Sequence, residues 1–78
     1  MEITKKIVAD QLKAYLERRI NLHVLAKWAK DTMMEGDFEQ SHFELLRSVI
    51  ARLGLADVDG FGLRRHEFQD FFKQLTSQ

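Results

Sequence analysis

Residues 57 to 68 read Asp57-Val58-Asp59-Gly60-Phe61-Gly62-Leu63-Arg64-Arg65-His66-Glu67-Phe68. The chemistry their spacing suggests is capture of a hard divalent cation. A calcium loop of about twelve residues offers oxygens from positions 1, 3, 5, 7, 9 and 12, with glycine at position 6 for the sharp turn and a bidentate glutamate at 12. Asp57, Asp59 and Gly62 fall at positions 1, 3 and 6, but Phe61 at position 5 has no side-chain oxygen and Glu67 falls at position 11. A helix turns by about 100° per residue, so one missing residue directs Glu67 away from the ion unless the loop distorts. Arg64 and Arg65 add repulsion beside any cation. A weaker echo at Asp31 to His42 has Glu35 and Gly36 at positions 5 and 6, but Met33 at position 3 and His42 at position 12. Two such hands would also have to share the helix from His42 to Leu53.

The favoured expectation is therefore a connection between helices. Gly60 and Gly62 permit its turns, Asp57 and Asp59 bond nearby amides, and Phe61 and Leu63 plug the end of the core. Calcium binding through Asp57, Asp59 and Glu67 is the alternative. His23, His42 and His66 form no i, i+4 ligand pair, and His42 is expected to be a half-buried structural histidine. The sequence has no glycine-rich phosphate loop, activated nucleophile or paired carboxylates in a predicted cleft, so no enzyme activity, cofactor or small-molecule substrate is expected.

The elements that position these residues are helical. The 78 residues include no proline and no cysteine, and apolar residues recur at helical spacing. The pattern predicts a single all-α domain, a compact antiparallel four-helix bundle, with helices at about residues 5–19, 22–35, 42–53 and 64–75. Thr4 and Asn21 are the expected N-caps of the first two helices, and Gly36 the left-handed C-cap of the second. Ser41 and Glu44 make a capping box for the third, which should end at Gly54 with Leu55 in the hydrophobic contact beyond. Trp28 is expected to anchor the core, and Phe68, Phe71, Phe72 and Leu75 to form one apolar face. The apolar arc of the third helix is wider than the roughly 100° stripe of a surface helix, so this helix is either central or partly committed to a partner.

Twelve basic residues balance twelve acidic ones, which counts against a dedicated binder of nucleic acid or anionic membrane. Residues 1–30 carry seven basic and three acidic side chains, and residues 31–62 carry two and seven, so the halves differ in sign. A helix-turn-helix built on the last two helices, with Arg64, Arg65 and His66 opening the recognition helix, fails because the connection is longer than that motif allows. Helical nucleic-acid binding is kept as a second alternative. Every apolar run is broken well before the roughly 18 residues needed to span a bilayer, and no secretory signal is apparent, so a cytoplasmic protein is expected.

The residues left outside the four stripes suggest a protein-binding corner: Met34 and Leu45 beside Asp31, Glu35, Asp37 and Glu39. Met34 is flexible and can adapt to a partner surface. A non-catalytic protein–protein interaction or self-association follows as the expected function.

Two resemblances accompany this reading. The loop from Asp57, with the Glu67-Phe68 that follows it, resembles part of an EF-hand and departs from it at two of the six ligand positions. The whole chain, in size, absence of cysteine and helix layout, with Ala51-Arg52-Leu53-Gly54-Leu55-Ala56-Asp57 within it, looks like small all-α bacterial proteins, including four-helix toxin-immunity proteins. The second resemblance implies an inhibitor with an acidic binding surface, which would cast Asp31, Glu35, Asp37 and Glu39 as the binding acids.

Overall fold

Thr4 and Asn21 start helices, as their side chains predict. In the computed structural model, which describes residues 2–77, α1 spans Lys5–Leu16 and α2 spans Leu22–Glu35. Thr4 Oγ1 accepts a hydrogen bond from the Ile7 amide at 3.3 Å, and Asn21 Oδ1 accepts one from the Val24 amide at 2.9 Å. Each cap satisfies an amide with no partner inside its helix, a gain of about 1 kcal/mol. Gly36 ends α2 in the left-handed region at φ 67°, where a side chain would be strained.

α1 stops three residues before the expected Arg19, because a Schellman closure ends it. The Arg18 amide donates to Tyr15 O at 3.0 Å and the Arg19 amide to Ala14 O at 2.8 Å, the paired bonds that close a helix C-terminus. The left-handed position this motif requires is filled by Arg18, at φ 63°, and not by glycine. No glycine marks the stop in the sequence, so the 3.6-residue pattern runs on past it.

α3, Phe43–Gly54, departs from expectation at both ends. The Ser41–Glu44 capping box does not form: Gln40–His42 make a 3₁₀ turn, and His42 occupies the N-cap with no side-chain bond. A long-range contact sets the entry of the chain instead. The Ile3 amide donates to Asp37 O at 2.7 Å and the Glu39 amide to Ile3 O at 3.0 Å, an isolated parallel bridge that buries Ile3 and Phe38. The Phe38 ring then meets Phe43 edge-on at 5.9 Å. Gly54 is the last residue of α3 and not its left-handed cap; that end tightens through Leu55 N to Arg52 O at 3.2 Å. Gly54 faces α2, where a Cβ would meet Lys30 Cγ at 3.4 Å, an ordinary contact distance.

α4 spans Arg65–Thr76. α2 packs chiefly on α3 and α1 on α4, and the two pairs form the four-helix bundle that the apolar periodicity predicts. The radius of gyration is 11.4 Å, against roughly 11.5 Å for a compact chain of this length. α3 is central: Leu46, Val49, Ile50 and Leu53 are all buried, among Val8 and Leu12 of α1, Leu25 and Ala29 of α2, and Phe68 and Leu75 of α4. Trp28 and the two phenylalanines Phe71 and Phe72 are only half-buried against this cluster, so small Ala26 and Ala29 beside Leu25, and not the indole, form the innermost surface of α2. No helix among the described residues is long and apolar enough to cross a membrane.

Candidate functional site

Close approach of α2 and α3 at Gly54 leaves a shallow groove of about 450 Å³ between the helices. Ala29, Met33 and Met34 line one side and Ala51 and Leu55 the other, with Lys30 the only charged residue in it. Met34 is 86% exposed and Leu55 is 41% exposed at its rim. Ala51 and Leu55 also border a second groove, toward Leu63 and Phe71 at α4, so the outer face of α3 joins two apolar depressions into one surface. Val58 and Phe61 in the following loop are exposed apolar side chains as well.

The sequence-predicted corner is distributed over several environments. Met34 and Glu35 are exposed at the C-terminal end of α2. Asp31 is held by Lys27 one turn earlier at 3.0 Å. Asp37 lies in the segment clasped to Ile3, where its carbonyl is engaged. Glu39 is half-buried, its Oε1 3.0 Å from His42 Nδ1; that nitrogen is enclosed, and the pair has the distance but not the alignment of a hydrogen bond. Leu45 packs against the core and lines no part of the Met34 groove. The groove residues that sequence reasoning missed are Ala51 and Leu55. Both lie off the apolar arc of α3, so the periodicity carries no signal for them, and Leu55 reads as the hydrophobic contact beyond a helix cap.

The loop after α3 presents its oxygens to the protein's own cations. Lys30 Nζ donates to Asp57 Oδ1 at 2.9 Å, and His23 Nδ1 lies 3.6 Å from Oδ2. The hydrogen bond from Lys30 holds the Asp57 carboxyl below its usual 3.8, against a smaller opposing effect of desolvation. Arg52 donates from Nη1 to Phe61 O at 2.7 Å. Asp59 is exposed, and Glu67 is half-buried on α4, beside Leu63 and Phe71 in the groove with α3. Asp57 therefore faces α2 while Glu67 faces α3. Among the described residues no three His, Asp or Glu side chains converge as a metal site.

The loop also corrects the expected plug. Phe61 is 49% exposed, and Leu63 alone of the two packs against the core. Arg52 anchors the Phe61 carbonyl to the last turn of α3 while the ring stays about half exposed. Gly60 does supply a turn, at φ 86°.

Comparison with family models, with curated proteins and with solved structures finds no match for this chain.

Proposed function

We propose that this protein is a non-catalytic helical domain that pairs with a second copy of itself across the groove between α2 and α3. The observation that carries this reading is Met34, a flexible apolar side chain almost wholly in solvent beside a groove lined by Met33, Ala51 and Leu55. An adaptable methionine next to an apolar depression is the knob-and-hole complement that an isologous interface uses twice, once in each direction.

The charges along the exposed edge of α2 select the second copy as occupant. Lys27 and Lys30 precede Asp31 and Glu35 along it, and within one copy Lys27 pairs with Asp31 and Lys30 with Asp57, pairs that a second copy would share. Two such edges laid antiparallel about a two-fold axis bring the lysines of one copy against the acids of the other. Like-charge contacts dominate when the edges run parallel, so the charge order also fixes orientation.

Sedimentation equilibrium tests this. The wild-type chain is expected to show a concentration-dependent dimer, and Met34→Glu to be monomeric with an unchanged melting temperature, because the side chain it replaces supports no core contact. A wild-type chain that stays monomeric at all concentrations rules out the proposal.

A further inference from the structure

The corner where α1 turns into α2 has a different chemistry. A cleft of about 610 Å³ is lined by Tyr15, Arg18, Arg19, Ile20, Leu22 and Arg65, within the roughly 300–1,000 Å³ typical of small-molecule sites. Three arginines from two separate parts of the chain line it. Glu17 offsets them in part, accepting from Arg19 Nε at 3.1 Å. Three positive charges against one negative leave a local excess of two in a chain whose net charge is zero.

Two details show that the cations are built into the fold. Arg65 reaches across from the start of α4 to donate from Nη2 to Leu16 O at 2.8 Å, which fixes its guanidinium at the end of α1. Arg18 stands at the left-handed position of the Schellman closure, where glycine fits without strain and any other side chain adds some. A residue that strains the backbone where glycine would relax it points to a use for the side chain.

From this geometry we infer that the cleft binds a phosphorylated small molecule. The guanidiniums take the phosphoryl oxygens, since their planar donors match that group. The ring of Tyr15, set by its 4.7 Å contact with Phe68, and the half-buried Ile20 and Leu22 wall the space left for an organic moiety. This site is separate from the α2–α3 groove, and its occupation requires no dimer.

Calorimetric titration of the full chain with inorganic pyrophosphate and with ADP, at fixed ionic strength, tests the assignment. Both are expected to bind, ADP the more tightly because its nucleoside meets the apolar walls. Arg18→Gly and Arg65→Gln are each expected to weaken ADP by roughly tenfold or more, the loss of a charge-assisted contact. Arg18→Gly relaxes the backbone, so weaker binding by that variant cannot be ascribed to unfolding, and Met34→Glu should leave ADP binding unchanged. Failure of both probes to bind, equal affinity in the arginine variants, or sulfate binding as tightly as pyrophosphate overturns the inference. A short random duplex that binds more tightly than ADP overturns it too, in favour of a nucleic-acid backbone.

Discussion

Two connections at the same end of the bundle are closed in different ways. Between α1 and α2 the chain turns within residues 17–21 by main-chain bonds to Ala14 and Tyr15, and accepts Arg18 in a left-handed conformation to do so. Between α3 and α4 the chain takes residues 55–64, with a glycine at the left-handed position, and its successive main-chain turn bonds are supplemented by side chains of other elements: Arg52 on the Phe61 carbonyl and Lys30 on Asp57. The short closure is local and its aromatic neighbours are packed. The long one is a surface strap that leaves Leu55, Val58 and Phe61 partly in solvent. The short turn is fixed by its own main chain, whereas the long loop is braced by Arg52 and Lys30 from the neighbouring helices, so its path depends on side chains outside it.

The sharpest way to break this contrast is to truncate one aromatic beside each connection. Phe68 is 1% exposed and packs on Tyr15 in the last turn of α1, while Phe61 is 49% exposed. Phe68→Ala should lower the free energy of unfolding by about 3–5 kcal/mol, through lost burial and an unfilled cavity. Phe61→Ser should stay within about 0.5 kcal/mol, as surface substitutions do. Urea denaturation checks both, and a comparable loss at the two positions would mean that the loop is packed and not strapped. A domain of this size has only a few kcal/mol in hand, so Phe68→Ala is expected to be substantially unfolded at ambient temperature.

A smaller effect of opposite sign is expected at the short turn. Arg18→Gly should raise stability by somewhat less than about 1 kcal/mol, because relief of left-handed strain exceeds the extra entropy glycine gains when unfolded. The melting temperature measures it. A fall would show that Arg18 makes stabilising contacts that outweigh its backbone strain.

How much of this was legible in the sequence depends on the range of the interaction responsible. Thr4, Asn21 and Gly36 act on amides or carbonyls within four residues, and all three perform the expected local role. The Ser41–Glu44 box is equally local in pattern, yet the bridge from Ile3 to Phe38 overrides it from more than thirty residues away. Gly54 reads as a cap because glycine after an apolar helix usually is one, yet it stays helical and the end tightens through Leu55 instead. At the candidate site, Met34 was visible as a misplaced apolar residue. Ala51 and Leu55 were not, since both lie off the apolar arc of α3 and the groove exists only once α3 packs on α2. The arginine cleft was hidden for the same reason: Arg18 and Arg65 are 47 positions apart and meet only when α4 docks on α1.

The smallest expected effect concerns how the long loop is strapped, and pH isolates it. Asp57 has a folded-state pKa below its ordinary 3.8, owing first to the hydrogen bond from Lys30. A carboxyl depressed in this way binds fewer protons when folded than when unfolded. It stabilises the native state above the unfolded pKa, and that contribution disappears as pH falls through the folded value. Asp57→Asn removes the charge and with it the linkage. Wild type should therefore exceed Asp57→Asn in stability by a constant margin from neutrality down to about pH 4, and the two should converge below that. Added salt should narrow the same margin at pH 7, because the pair lies near the surface where ions screen it. Paired denaturation curves across this pH range would show it. A margin that persists unchanged at low pH would mean that Asp57 holds the loop by the shape of its hydrogen bonds, not by its charge. The two connections would then differ in length but not in the kind of force that secures them.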